Sequence, residues 1–168
     1  MKIKWKRFNK IAVVIFLTIT VCNSWTLRPV NIIHTSKQRE TIYDVVVDHF
    51  PFTDRDRIHW YVDHKSELRE KYGIPGKLGY AITIWNVGDG FLSFKDNARR
   101  IDDLYCFGDI ESDERCIDKS IPLVVYLSEN NKEFFDMGYN GYSYTLDKDG
   151  KLSAAKDREL LDRMKGRY

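Results

Sequence analysis

The stretch His49–Pro75 constrains the fold most, because it ends one strand and carries a complete helix toward the next. Pro51 cannot continue the hydrogen-bond ladder of the β-branched run before it. Thr53 is a favourable N-cap residue, and Gly73 suits the position that follows a helix. Apolar residues recur at helical spacing between them, and charged residues fill the remainder. The sequence therefore predicts a helix over about 54–72, with one face packed against a sheet.

Three of the four histidines lie in this stretch, at His49, His59 and His64. His59 and His64 are five residues apart, whereas neighbours on one helical face are three or four apart. No glutamate stands between two histidines as it does in a zinc-protease helix. We therefore predict ordinary boundary and surface histidines, with no metal and no cofactor. The alternative is an enzyme or metal-dependent factor that acts on the cell envelope, with one of these histidines at its site.

The N-terminal part of the chain combines positive charge with an apolar run. Up to Arg28 there are six lysines and arginines and no acidic residue, and the run 11–27 has 17 residues. That length is near the lower limit for a membrane-spanning helix, and the positive flank favours a cytoplasmic N-terminus. The sequence predicts a cytoplasmic basic tail over 1–10 and a transmembrane anchor over 11–27. A cleaved signal peptide is the alternative.

Charge excludes one class of partner. The whole chain has 27 lysines and arginines, and six of them lie up to Arg28. The remainder therefore has 21 basic residues against 25 acidic ones and is mildly acidic. Nucleic-acid-binding domains carry basic surfaces, and we therefore predict no nucleic-acid partner. With the anchor in the inner membrane, the domain that follows it is predicted to lie in the periplasm.

Short β-branched and aromatic runs, separated by turn residues, predict strands along the rest of the chain. The predicted strands are Val30–Thr35, Ile42–Phe50, Tyr80–Val87, Phe91–Phe94, Leu104–Phe107, Ile117–Asp118, Ile121–Leu127, Glu133–Tyr139 and Tyr142–Leu146. Ser153 is expected to cap a helical tail over 153–168. The predicted fold class is α+β: an N-terminal single transmembrane helix, then a small, mostly antiparallel sheet domain over 28–152 with one main helix packed on it.

Two cysteines, Cys106 and Cys116, flank a short polar loop. Because an exported domain meets an oxidising environment, the sequence predicts a disulfide between them, and closing so short a loop stabilises by about 3 kcal/mol. Two free buried thiols are the alternative. Templates for catalysis are missing, since the chain has neither a glycine-rich phosphate loop nor a GxSxG elbow. We therefore predict no enzymatic activity and no catalytic residue.

Two surfaces are weak candidates for binding. Asp102 and Asp103 begin an acidic run around the cysteine loop, and a solvated charged face is the simpler interpretation of that run. Tyr142 and Tyr144 alternate beside a predicted hairpin turn, so both point to the same face of a strand. Aromatic clusters of this kind pack in a core or form a partner surface.

The order of several motifs resembles a known family. These motifs are Leu27–Val30, Val47–Tyr61, Glu70–Pro75, Trp85, Gly88–Gly90, Leu104–Phe107 and Cys116–Ile117. They look like the enterobacterial membrane proteins grouped as domain-of-unknown-function family 943. The resemblance implies a single-pass inner-membrane protein and brings no catalytic or binding residues. It is loose from about Leu123 onward, and the C-terminal tail looks like an addition to the family pattern.

These features together predict an inner-membrane protein whose periplasmic domain binds another protein of unknown identity. A sharper hypothesis is an immunity-type protein that neutralises a toxin acting in the periplasm. It is motivated by small size, export and the absence of catalytic signals. Besides the envelope enzyme above, the other alternative is a structural accessory of a membrane complex, in which the span makes the contacts.

Overall fold

The computed structural model describes residues 10, 13–17, 28–74, 79–97, 102–127, 132–138, 141–147 and 149–155. The chain divides into an N-terminal unit, Met1–Val30, and a second unit, Asn31–Tyr168. The elements of the second unit are β1 (Ile32–Arg39), β2 (Ile42–Val47), α1 (Asp54–Tyr72), β3 (Tyr80–Asn86), β4 (Leu92–Ser93), β5 (Leu104–Cys106), β6 (Glu114–Asp118), β7 (Leu123–Leu127), β8 (Glu133–Asp136), β9 (Ser143–Leu146) and β10 (Leu152–Ala154).

Ten strands form two sheets in the described part of this unit. The large sheet has the order β1-β2-β3-β7-β8-β9-β10, and the small sheet has the order β4-β6-β5. β2 and β3 are parallel because α1 connects them as a crossover, and every other pair is antiparallel. It follows that β2 ends, α1 begins and β9 begins at one end of the large sheet, whereas β3 and β8 begin at the other end.

The helix α1 forms where the sequence predicts it, because both of its ends are capped locally. The Asp56 amide donates to the Thr53 hydroxyl at 3.1 Å, and Gly73 adopts a left-handed conformation with φ of 65°. On the inner face, Ile58, Tyr61 and Leu68 are at most 1% exposed. This face packs on one side of the large sheet.

The small sheet covers part of the opposite side of the large sheet. Val46 of β2 and Trp85 of β3 belong to one apolar cluster with Phe107 and Ile117. Phe107 directly follows β5, and Ile117 lies in β6. Neighbouring residues along a strand point to opposite faces, so Ile82 and Ile84 point toward α1 while Trp85 points toward the small sheet. The large sheet is therefore the middle layer of three.

The predicted fold class is wrong in two respects. The described residues are mostly sheet with a small helix content, although the sheet is mostly antiparallel as predicted, with β2–β3 as its one parallel pair among them. In the part of the chain that the structure describes, no helix is long and apolar enough to cross a membrane. Of the expected anchor, residues 13–17 are described, and they are helical. The other residues of 11–27 lie outside the described residues.

The expected helical tail begins as a strand. Ser153 pairs with Thr145 between β10 and β9, and the Ala155 amide donates to the Ser143 carbonyl at 2.8 Å. In the preceding turn, the backbone amides of Asp149 and Lys151 donate to the Asp147 carboxylate. This turn folds the chain back onto β9, so Ser153 extends the sheet instead of capping a helix. Residues 156–168 lie outside the described residues.

Candidate functional site

A cluster of polar side chains lies where α1 packs on the large sheet, around the Glu133 carboxylate. Its Oε1 atom accepts hydrogen bonds from the Tyr61 hydroxyl at 3.2 Å and the Tyr80 hydroxyl at 3.1 Å. The two hydroxyl oxygens are 2.9 Å apart, and the Lys65 ammonium forms a salt bridge with the same Oε1. Tyr61 and Lys65 are one turn apart on α1, while Tyr80 begins β3 and Glu133 begins β8. One helix and two strands thus converge on a single oxygen.

A cleft lies beside this cluster, between α1 and β3. Its lining residues are Tyr61, Lys65, Leu68, Arg69, Ile74, Tyr80 and Ile82. The centre of a water molecule can reach about 10 Å³ of it, which is room for about one water. Pockets for cofactors and drug-sized molecules begin at about 300 Å³. The cleft therefore has room for a single small group, and the Lys65 and Arg69 side chains in its lining are positively charged donors.

The two tyrosines of this cluster keep their protons at neutral pH. Burial raises the pKa of Tyr80 to about 12, and the nearby Glu133 charge adds to that rise. Burial likewise raises the pKa of Tyr61 far above its usual range, with the Glu133 charge again adding to it. Because neither hydroxyl ionises near neutral pH, both act as hydrogen-bond donors and neither has the pKa of a general base.

A second carboxylate, Asp44, lies between the two sheets and is 2% exposed. Its Oδ1 accepts from the Trp85 indole at 2.8 Å. Its Oδ2 accepts from the Tyr105 hydroxyl at 3.0 Å and from the Gln38 amide at 2.6 Å. The Tyr105 and Trp85 rings stack with their centroids 4.2 Å apart, and burial raises the pKa of Tyr105 well above its usual range. This network joins β1 and β2 to the small sheet.

An exposed aromatic surface, called here the aromatic end, consists of Phe52, Asp54, Tyr142 and Tyr144. The Tyr144 hydroxyl donates to Oδ2 of Asp54 at 3.2 Å, which ties β9 to the first turn of α1. Phe52 is 68% exposed and Tyr142 is 63% exposed. Each of the two lies two residues from that hydrogen bond along the chain, at the end of the large sheet where α1 begins.

Helix capping does not account for the position of Phe52. An apolar residue just before an N-cap commonly packs on the fourth helical residue, which here is Arg57. Arg57 instead donates from Nε to the Pro51 carbonyl at 2.7 Å and lies 3.7 Å from the Asp54 carboxylate. Phe52 is therefore left at the surface, held by a well-bonded turn, as a partner-binding aromatic residue would be.

The two binding surfaces expected from the sequence lie in different sheets. Tyr142 and Tyr144 are near each other in the aromatic end, with Tyr142 exposed and Tyr144 half-buried. Asp102 and Asp103 are exposed just before β5 of the small sheet, where the Lys119 ammonium donates to the Asp102 carbonyl at 2.6 Å. The structure does not bring these two pairs together. Whether either surface binds a partner stays a prediction.

The four histidines lie in separate surroundings. Their contacts include Asp109 for His34, Asp48 for His49, Arg55 for His59 and the Trp60 ring for His64. His49 adopts φ of 49°, in the left-handed region, where the chain turns away from β2. Within the described residues, no three histidine, cysteine, aspartate or glutamate side chains are placed to hold one metal ion.

The predicted disulfide is confirmed. Cys106 of β5 and Cys116 of β6 are direct cross-strand partners, and their sulfur atoms are bonded. Cys116 is fully buried. The bridge lies one residue from Tyr105, so it holds in place the strand β5, whose Tyr105 hydroxyl donates to Asp44.

These features define a small, disulfide-linked domain of mostly sheet, with two internally bonded carboxylates and one exposed aromatic end. The family model described as "Enterobacterial putative membrane protein (DUF943)" matches residues 3–156. The chain therefore belongs to this family, as its motifs indicate. No curated protein and no solved structure matches the chain. The family description supports a membrane protein and specifies no activity.

Proposed function

We propose that the domain that begins at Asn31 is a protein-binding domain whose contact surface is the aromatic end. The observation that carries the proposal is the exposure of two large aromatic side chains, Phe52 and Tyr142, each two residues along the chain from the Tyr144–Asp54 hydrogen bond. Aromatic side chains dominate the energetics of protein interfaces. Complete burial of a phenylalanine side chain stabilises by about 1.5–3 kcal/mol.

The turn that carries Phe52 in the aromatic end is also held by hydrogen bonds within the domain itself. The Thr53 hydroxyl and the Asp56 carboxylate bond each other at 2.6 Å, and the Arg57 side chain holds the Pro51 carbonyl. Order that exists in the free protein does not have to be created on binding, which strengthens the complex. The aromatic end therefore has the preorganised apolar anchors that a partner-binding surface needs.

The internal bonding of the polar clusters supports binding rather than catalysis. Asp44 uses both oxygens on donors of the domain itself, and Glu133 accepts three contacts at one oxygen. A general acid or base needs a titratable group that reaches the substrate. Neither cluster offers such a group next to a cleft of substrate size.

The disulfide supports an oxidising compartment, and for an enterobacterial membrane protein that compartment is the periplasm. An immunity-type protein would be one form of this function, and its partner would then be a toxin acting in the periplasm. Alkylation of intact cells tests the compartment. Cys106 and Cys116 are expected to react only after reduction, and reaction without a reductant would contradict a periplasmic domain.

Site-specific photocrosslinking in intact cells tests the binding surface. A photoreactive phenylalanine analogue replaces Phe52 or Tyr142, and the matched control carries it at Asp149, an exposed position at the opposite end of β9. Both test positions are expected to form the same discrete protein adduct, and the control is expected to form none. In addition, F52A should weaken the adduct formed from position 142. Equal adducts from all three positions, or none at either test position, would overturn the proposal.

A further inference from the structure

The cleft beside Glu133 contains more hydrogen-bond donors than its own acceptors can use. Lys65 has three N–H donors and Arg69 has five, and the described contacts use one of these for Glu133. Among the residues that the structure describes, no hydrogen bond or ion pair engages the Arg69 guanidinium. Its charge nevertheless acts on Tyr80 across the cleft, where it opposes the rise in the pKa of that hydroxyl.

The charge of the cleft is also unbalanced. Lys65 and Arg69 contribute two positive charges, and the adjoining Glu133 contributes one negative charge. The tyrosine hydroxyls of the cluster are neutral donors at physiological pH, as shown above. A group that enters the cleft therefore meets one net positive charge and an excess of N–H donors, which is the environment that stabilises an anionic oxygen.

The size of the cleft limits that anion to a group whose leading atom is about as large as a water molecule. Its deeper walls are the nearly buried side chains of Leu68, Ile74 and Ile82, which close it to anything larger. A carboxylate meets this limit, because one oxygen can enter while the other stays at the mouth of the cleft. Arginine pairs with a carboxylate through two parallel hydrogen bonds.

We propose that the cleft between α1 and β3 binds a carboxylate group, which Arg69 holds at the mouth while one oxygen enters beside Lys65 and Tyr80. The Glu133 carboxylate occupies the neighbouring position and orients Lys65. This site is distinct from the aromatic end: Asp54 and Arg69 are 15 residues apart on α1, which corresponds to about 22 Å. The two sites therefore lie at opposite ends of the helix.

Nuclear magnetic resonance of the full-length chain tests this site. The amide signals of Leu68, Tyr80 and Ile82 and the Nε–H signal of Arg69 are followed while sodium acetate is added, with sodium chloride at equal ionic strength as the reference. We expect a saturable shift with acetate and none with chloride. R69Q is expected to weaken acetate binding about tenfold. R55Q, which removes an exposed arginine from the other end of α1, should leave binding unchanged.

A second titration distinguishes the source of the carboxylate. It uses a short capped peptide whose only charge is one glutamate side chain. Saturation by the peptide as well as acetate identifies an acidic side chain as an acceptable ligand, and saturation by acetate alone identifies a free small carboxylate. A non-saturable shift, an equal shift with chloride, or equal weakening by R69Q and R55Q would overturn the site. Crosslinking from positions 52 and 142 does not depend on Arg69, so the two proposals can fail separately.

Discussion

Asp44 and Glu133 each accept three hydrogen-bond donors, yet they lie in different surroundings. Asp44 is 2% exposed, and its donors are the neutral indole, phenol and amide groups of Trp85, Tyr105 and Gln38. The Glu133 side chain is 18% exposed and adjoins a cleft, and one of its donors is the half-exposed ammonium of Lys65. The first carboxylate is enclosed by protein, whereas the second is within reach of water.

This difference indicates that the number of donors does not decide the role of a buried carboxylate. An enclosed acceptor cannot be replaced by water, so donors that are themselves shielded from water depend on it completely. An acceptor at a cleft shares its donors with solvent and with any anion that enters. We therefore assign Asp44 to stability and the surroundings of Glu133 to binding, and four predictions test this comparison.

The largest expected effect is that of D44A on stability. The change removes the acceptor of the Trp85 indole and the Tyr105 hydroxyl, and the indole N–H cannot turn to find another, whereas the exposed Gln38 amide can turn to water. We expect the free energy of unfolding to fall by about 4 kcal/mol, measured by urea unfolding of the full chain with tryptophan fluorescence. D44N is the control, because it keeps the volume and one carbonyl acceptor, and it should cost clearly less. Equal losses for both variants would assign the effect to charge alone.

Reduction of the Cys106–Cys116 disulfide should have the next largest effect. The bridge joins two residues that are ten positions apart in the chain. Its loss should lower the free energy of unfolding by about 3 kcal/mol. Hydrogen exchange locates the change. Because Tyr105 adjoins the bridge, amides of β5 and β6 should exchange faster after reduction, while amides of β8 beside Glu133 keep their rates. Faster exchange on both sides would show that the two regions are not independent.

Local signals explain why part of this structure could be predicted from the sequence. The helix α1 depends on Thr53 and Gly73 at its own ends, and the disulfide joins residues ten apart. Asp44 gives only a weak signal, as an acidic residue inside a β-branched strand. Its partners Trp85 and Tyr105 lie 41 and 61 residues away, and no periodicity reports such a contact.

Contacts that local sequence patterns do not report also explain the features that were predicted wrongly or missed. Serine is a common helix N-cap residue, which is why the sequence predicts a helix from Ser153. In the structure Ser153 instead pairs with Thr145 of the neighbouring strand and forms part of β10. The Glu133 cluster joins α1 to strands that lie up to 72 residues further on. Positions of this kind follow from the order of strands in the sheet, which local sequence patterns do not specify.

Alkaline pH provides the third test, because each region contains a tyrosine with a raised pKa. A tyrosine in the unfolded chain loses its proton near pH 10, whereas Tyr80 keeps it until its raised pKa of about 12. Above pH 10 the unfolded state therefore binds fewer protons, and stability falls as pH rises. Y80F should reduce the fall between pH 9 and pH 11 by about 1 kcal/mol. Wild-type and Y80F curves that stay parallel would contradict this.

Tyr105, which donates to the enclosed Asp44, should make stability fall at alkaline pH as Tyr80 does, with one difference. Its pKa is raised well above the usual range by burial and by the Asp44 charge, so its contribution should continue to fall at pH values where that of Tyr80 has levelled off. Y105F removes this contribution together with one donor to Asp44. Y142F changes an exposed tyrosine and serves as the control for the loss of a phenol hydroxyl.

The smallest expected effect, and the sharpest test of the comparison, is that of E133A. When the carboxylate is removed, one of the Tyr61 and Tyr80 hydroxyls can turn to donate to the other across 2.9 Å, and the half-exposed Lys65 ammonium can turn to water. We therefore expect a loss of no more than about 1 kcal/mol in the free energy of unfolding. The same change removes the only negative charge of the cluster, so acetate should bind more tightly in the titration above. A loss as large as that of D44A would mean that Glu133 is a structural acceptor like Asp44, and unchanged acetate binding would mean that its charge does not act on the cleft.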